Sequence, residues 1–212
     1  MTEKLFWGDP YLIALDTVVE SVDGDNVTLA STIFFAESGG QESDEGTIGG
    51  FPVLEAHADG KQIRYLLPEG HGLRPGAPVR VEIDKKRRER LVRLHFAAEL
   101  VLELVYRAAP GIEKVGAHIA ANKARIDFAF QENISELFLE VLTGVARLVD
   151  ADLEITSAFE EEASERRYWE VPGFARVACG GTHPRTTGEV GEIVLTRKNP
   201  GRGIERIEIR LG

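Results

Sequence analysis

The sequence predicts an α+β protein: a small N-terminal β-rich, barrel-like domain over residues 1–84, then an α+β domain over residues 85–212 with helices on one face of an antiparallel sheet. Three observations predict it. The first eighty residues carry short alternating stretches bounded by turn residues, residues 84–107 and 134–149 carry apolar side chains at helical spacing, and strand-like segments resume after the second of these and run to the end of the chain.

In the first part, VTLA at 27–30 follows an Asp23-Gly24-Asp25 turn, FPVLEAHADGKQIRYLL at 51–67 folds back around Asp59-Gly60, and PVRVEI at 78–83 alternates as a half-buried strand does. Asp84 stands where it caps a helix running to about Arg107, because Leu91, Leu94, Ala98, Val101 and Val105 recur at spacings of 3, 4, 3 and 4. Pro110 and Gly111 stop it. A second helix is predicted from about Ile134 to Val149, with Ile134, Leu137, Phe138, Val141, Val145 and Leu148 on one apolar stripe. LEITS at 153–157, ARVACG at 175–180, GEIVLTR at 191–197 and IERIEIRL at 204–211 read as strands, whereas the acidic FEEEASERRYW at 159–169 reads as helical. There is no internal repeat and no disordered linker.

Composition narrows the function classes. With 43% hydrophobic and 28% charged residues among 212, the chain reads as a folded soluble protein. The opening MTEKLFWGDPYLIALD sets acids and a proline where a signal peptide needs a basic end and an apolar run, and a cytoplasmic location with no membrane partner is the default expectation. A net charge of −10 argues against a protein that coats nucleic acid nonspecifically, and no DNA partner is expected. Local charge differs: KKRRERLVR at 85–93 holds Lys85, Lys86, Arg87, Arg88, Arg90 and Arg93, either as a solvated helix start or as a phosphate contact. The single cysteine, Cys179, forms no internal disulfide and is buried filler, a reactive thiol or a metal ligand.

The segment CGGTH at Cys179–His183 separates a thiol and an imidazole by a glycine-permitted turn that can bring both to one metal ion, and zinc suits that pair. Two ligands hold a metal weakly. His95 and Glu99 lie four apart on the first helix, hence on one face, and complete a candidate shell of His95, Glu99, Cys179 and His183. A lone helical histidine is also a common core or cap residue, and both readings stand at the level of spacing.

Longer stretches carry a resemblance. CGGTHPRTTGEVGEIVLTRKNPGRGIERIEI from Cys179 to Ile209 resembles the end of the alanyl-tRNA synthetase editing domain, STIFFAESGGQESDEGTIGG from Ser31 to Gly50 resembles that family's glycine-rich segment, and RERLVRLHFAAEL resembles its helix bearing a His-x-x-x-His pair. The chain is thereby identified as resembling the alanyl-tRNA-editing family, in its medium-sized stand-alone form. The resemblance implies an aminoacyl-tRNA hydrolase that deacylates mischarged tRNA(Ala) in trans, Ser-tRNA(Ala) first and Gly-tRNA(Ala) second, with zinc as cofactor. It places His95, Cys179 and His183 on metal ligands, Gly39, Gly40 and Gln41 in the amino-acid pocket, and Thr32 where a threonine is linked to recognition of the serine hydroxyl. Gln41 and Glu99 are the catalytic candidates, and Lys86, Arg87 and Arg90 the tRNA-binding ones.

One position departs from the pattern. The family's second helical histidine is Glu99 here, so His-x-x-x-His has become His-x-x-x-Glu. A carboxylate paired with a thiolate cancels the charge of a zinc ion, where a second helical histidine would leave one positive charge. Glu99 is then a fourth ligand, or a base beside a three-ligand metal. A non-catalytic descendant that grips tRNA or another partner, and a hydrolase of small aminoacyl esters or amides, are the rival readings. A threonyl-type editing relative would fit the same segments less well than the alanyl branch. His57 and His71, beside turn residues, are expected to face solvent; His118 has no paired motif, and Tyr168 and Trp169 are assigned to packing.

Overall fold

The computed structural model describes residues 2–212 and divides into two compact units, residues 1–89 and 90–212. Each is rich in antiparallel strands.

The strands of the first unit are β1 (Glu3–Lys4), β2 (Ala14–Asp23), β3 (Asn26–Leu29), β4 (Ser31–Thr32), β5 (Gly46–Ile48), β6 (Phe51–Pro52), β7 (Glu55–Asp59), β8 (Gln62–Leu66) and β9 (Pro78–Ile83). Seven of them form one antiparallel sheet in the order β6-β5-β9-β2-β3-β8-β7, and β1 pairs with β4 in parallel. The two ends of this order follow one another in the chain: β6 pairs with β5 and β7 with β8, and between them the Val53 N–H donates to Gly46 O at 3.0 Å and the Leu54 N–H to Leu66 O at 2.8 Å, so the sheet is curled. Strand β9 alternates as predicted, with Val79, Val81 and Ile83 buried in a core built on Val27, Leu29, Ile33, Phe34, Ile48 and Tyr65.

The second unit contains α1 (Lys85–Ala108, whose first residues belong to the first unit), β10 (Glu113–Ala120), β11 (Lys123–Ala129), α2 (Phe138–Ala151), β12 (Thr156–Glu161), β13 (Arg166–Val171), β14 (Ala175–Ala178), β15 (Ile193–Gly201) and β16 (Ile204–Leu211). Asp84 caps α1, its Oδ1 accepting from the Arg87 N–H at 2.9 Å. The predicted stripe from Leu91 to Val105 is buried, and Phe96, Ala97, Leu100 and Leu102 are buried with it, so α1 is enclosed over a wider arc than the stripe. Before α2, residues 134–137 form a 3-10 turn capped by Asn133, so the α-helix starts later than its apolar pattern does. Two antiparallel sheets, β10-β11-β16-β15 and β12-β13-β14, complete the unit. Ala124, Ile126, Phe128, Ile207 and Ile209 face the core shared with α1 and α2, while Arg125, Asp127, Arg206 and Glu208 alternate onto the opposite face.

The structure corrects two readings and adds one element. Residues 159–169 are not helical: β12 ends at Glu161, a 3-10 turn covers 162–164, and β13 buries Arg167, Trp169 and Val171 on alternate positions, a period of two that the acidic composition masks. His71 is buried, not solvent-facing, because its ring nitrogens are engaged by Gly24 O and the Leu73 N–H; His57 is exposed as expected. The hairpin of β10 and β11 has no counterpart in the sequence reading. Among the described residues no helix is long and apolar enough to cross a membrane.

Candidate metal centre

The site is assembled by α1, β13, β14 and the loop after β14. Cys179 continues the β14 ladder, its N–H donating to Arg167 O at 3.0 Å, which fixes the direction of the thiol. After His183, the chain is held by a capping box in which Glu189 accepts from the Thr186 N–H at 3.3 Å and also from the Arg185 N–H at 3.0 Å. His95 comes from the buried part of α1. Its imidazole packs so closely on Gly181 that a Cβ there would lie 2.3 Å from Cε1 and 2.6 Å from Nε2. Gly180, by contrast, has no atom within 4 Å of where a Cβ would stand. Of the two glycines in CGGTH, the second makes room for the ring.

The donor atoms converge. His95 Nε2 lies 3.2 Å from Cys179 Sγ and His183 Nε2 lies 3.3 Å from it, and the three ligand atoms are all within 4.8 Å of one another. Glu99 Oε1 stands 3.6 Å from His95 Nε2 and 3.7 Å from Cys179 Sγ, although the mutually close group comprises only the other three residues. Around tetrahedral zinc, with Zn–S of about 2.3 Å and Zn–N of about 2.0–2.1 Å, neighbouring ligand atoms are separated by roughly 3.4–3.6 Å. The spacings around Cys179 therefore suit one small ion, and a thiolate with two imidazoles is a donor set for zinc.

The electrostatics agree. Burial, followed by the neighbouring Glu99 charge, pushes the Cys179 thiol up to about 12. Burial also holds His183 well below the usual imidazole range, with His95 and Arg167 adding to the effect, and it lowers His95 against the pull of Glu99. Neutral imidazoles are ligand-competent, and a cation is the agent that would displace a thiol proton at neutral pH. The surroundings orient the donors: Ser157 Oγ lies 2.9 Å from His183 Nδ1, leaving Nε2 toward the cysteine, and Trp169 Nε1 donates to Glu99 Oε2 at 3.1 Å, leaving Oε1 toward the centre. His95 Nδ1 is buried without a hydrogen-bond partner. Sequence reasoning missed Ser157 and gave Trp169 a packing role only; it packs, against Phe96 and Phe174, and holds Glu99 as well. His118, on β10 opposite Arg125, is not part of the cluster.

The other candidates lie in or beside the first unit. Gly39 and Gly40 occupy the centre of a tight turn closed by Ser38 and Gln41, with φ of +60° and +85°, a pair of left-handed positions that favours glycine at both. Gln41 is fully buried. Thr32 is fully buried too; its Oγ1 lies 2.7 Å from Tyr65 Oη and accepts from the Phe34 N–H at 3.0 Å. In the basic run, Lys86 is exposed and Arg90 donates to Ala121 O, whereas Arg87 is bound to Glu42, Glu45 and Ser43 O. Arg88 is not a solvated cation: it is 1% exposed and bonded to Asp44, Pro10 O and Ile33 O.

Residues 170–208 match the model of the threonyl and alanyl tRNA synthetase second additional domain. The chain is 32% identical to the alanyl-tRNA editing protein AlaX-M of Pyrococcus horikoshii, over 100% of this chain and 98% of that protein. It is 29% identical to the AlaX-M of Methanosarcina acetivorans, over 100% and 99%. It is also 31% identical to the alanine–tRNA ligase of Methanopyrus kandleri, where all of this chain spans 26% of the ligase. With a relative above 30% identity aligned along its whole length, and with Cys179 and His183 of the metal-suited cluster in the segment that the family model matches, the chain belongs to the alanyl-tRNA editing family.

Proposed function

We propose that this protein is an aminoacyl-tRNA hydrolase that deacylates mischarged tRNA(Ala), acting on Ser-tRNA(Ala) foremost and on Gly-tRNA(Ala) more weakly. The observation that carries the reading is the convergence of His95, Cys179 and His183 in a chain that aligns end to end with editing proteins. When bound, zinc supplies Lewis acidity at the centre of this donor set. Aminoacyl esters are already activated, so holding the ester carbonyl and a water in register accounts for much of the acceleration.

Glu99 is assigned as the fourth donor, with Trp169 fixing its other oxygen; the alternative role is a base that takes the proton of the attacking water. Gln41 and the backbone of Gly39 and Gly40 are assigned to the amino acid, and Thr32 to the serine hydroxyl. The Thr32 hydroxyl already bonds Tyr65 Oη and accepts from the Phe34 N–H, which leaves it one further site for a substrate hydroxyl. Alanine escapes because it cannot satisfy a polar group left unpaired on binding. Lys86, Arg87 and Arg90 are assigned to tRNA phosphates; Lys86 and Arg90 have the exposed side chains, and Arg87 would first leave its glutamates. A cytoplasmic setting goes with this substrate.

The test is deacylation by the purified protein of Ser-tRNA(Ala), Gly-tRNA(Ala) and Ala-tRNA(Ala). The reading predicts loss of the first two with Ala-tRNA(Ala) largely intact. Equal rates on serine and alanine esters, or hydrolysis of neither, would sink it.

A further inference from the structure

The face of the sheet β10-β11-β16-β15 turned away from its core sorts its charges by depth. On the two central strands Arg125 stands opposite Glu208 and Asp127 opposite Arg206, with Lys123 and Arg210 one step further along the same side. Asp127 accepts from both Arg125 and Arg206, and Glu208 from both Lys123 and Arg210. The two carboxylates are buried, whereas the four cations that share them keep 28–45% of their side-chain surface in solvent. On β15, Lys198 stands opposite Arg206 and is exposed. Five cations thus lie over two carboxylates, and the charge that reaches solvent along these rows is positive, in a chain of net charge −10. Acids return at opposite corners, Glu113 opposite Ala129 and Glu192 beside Gly212. Apart from His118 and Val194, the flanking positions are small, Gly116 and Ala120 on β10 and Thr196 on β15, so little on either side fences the cations off.

Two cations on one carboxylate leave a positive charge uncompensated, and the sharing restrains both side chains before a ligand arrives, so less rotamer freedom remains to be lost on binding. An approaching anion meets the cations first, because the acids lie beneath them. Within these rows there is no Trp, Tyr or Phe, and Val194 is the one exposed large aliphatic, so the face lacks both the aromatic anchors of a protein–protein interface and the apolar side chains that hold a surface in a membrane. A row of phosphates needs neither, being held by guanidinium and ammonium groups. The acid surplus over the rest of the chain repels a polyanion, which leaves a cationic face to steer its approach. Resting on the reading above of a protein that acts on tRNA, we propose that this face is a second RNA-binding surface, on which Arg125, Lys198 and Arg210 with their neighbours take backbone phosphates of the tRNA helix, away from the terminal nucleotide at the metal centre.

The test measures binding of fluorescently labelled, uncharged tRNA(Ala) over a series of salt concentrations by the native protein, by the triple variant Arg125→Gln, Lys198→Gln and Arg210→Gln, and by Arg147→Gln, which removes an exposed cation from α2. In the triple variant each buried carboxylate keeps one partner, Asp127 its Arg206 and Glu208 its Lys123, and unfolding midpoints check the fold. The triple variant should bind about tenfold or more weakly at about 0.1 M salt, with the slope of log affinity against log salt shallower by about two to three. Lys198→Gln alone, which deprives no carboxylate of a partner, should account for about one of that change, and Arg147→Gln should bind as the native protein does. An unchanged slope in the variants, an equal loss in Arg147→Gln, failure of the native protein to bind, or displacement of the tRNA by polyglutamate as readily as by unlabelled tRNA overturns the proposal. Deacylation of Ser-tRNA(Ala) is read separately. RNA binding that depends on this face without any hydrolysis would reject the editing reaction and leave the face standing, whereas hydrolysis by native protein with binding indifferent to the triple variant would reject the face alone.

Discussion

Replacing Gly181 by alanine tests the metal centre at a single methyl group. The added Cβ would lie 2.3 Å from His95 Cε1, 2.6 Å from Nε2 and 2.9 Å from Nδ1. Comfortable carbon contacts begin at about 3.5 Å, so the ring must retreat by roughly 1 Å. His95 is 4% exposed, and the ring of His183 stands 5.2 Å away, centre to centre, so there is little room to retreat. Metal–ligand distances tolerate about ±0.2 Å, and overpacking of this kind costs about 1–3 kcal/mol. Zinc affinity should therefore fall about ten- to hundredfold, measured by competition with a chromogenic chelator, while Gly180→Ala, with no atom near its new Cβ, binds as the native protein does. A folded Gly181→Ala protein with zinc affinity within about twofold of native would refute this account of the site, as would an equal loss in Gly180→Ala.

Glu99→Ala should lose zinc and Glu99→His regain it; full zinc in Glu99→Ala with hydrolysis abolished would make Glu99 a base, and retention of both would leave it an ordinary helix carboxylate. Asp44→Ala strands the buried Arg88 guanidinium and should cost about 3–5 kcal/mol in urea unfolding, with a loss below about 1 kcal/mol contradicting a structural role for the pair. The metal-free protein should lose stability as pH falls below about 6.5, because His95 and His183 are held below the ordinary imidazole range and the unfolded chain binds protons first. Their folded-state contribution is thus complete above that pH, and a flat unfolding midpoint between pH 7 and pH 5 would disagree with the burial of both rings.

Much of the site is legible in the sequence because its parts are local. Cys179 and His183 are four residues apart, as are His95 and Glu99, and helical geometry alone puts the latter pair on one face. The members that were missed act across the sheet: Trp169 reaches Glu99 from 70 positions away and Ser157 reaches His183 from 26, separations that carry no periodic signature. The same limit explains Arg88, which is indistinguishable from its basic neighbours until Asp44 and two carbonyls surround it. In the fold, β9 and both helices announced themselves by apolar residues at period two or near 3.6, whereas β13 holds Arg166, Arg167 and Glu170 among its six residues, with Arg167 on the buried face, and conceals its strand period behind charge.

The most direct measurement is the rate of Ser-tRNA(Ala) deacylation by metal-stripped protein as zinc is returned stepwise, with zinc bound per chain determined in parallel. The account predicts that hydrolysis rises in step with zinc, saturates at one ion per chain, is absent in Cys179→Ala, and leaves Ala-tRNA(Ala) intact throughout. Undiminished hydrolysis by the stripped protein, or none with one zinc bound per chain, would contradict it.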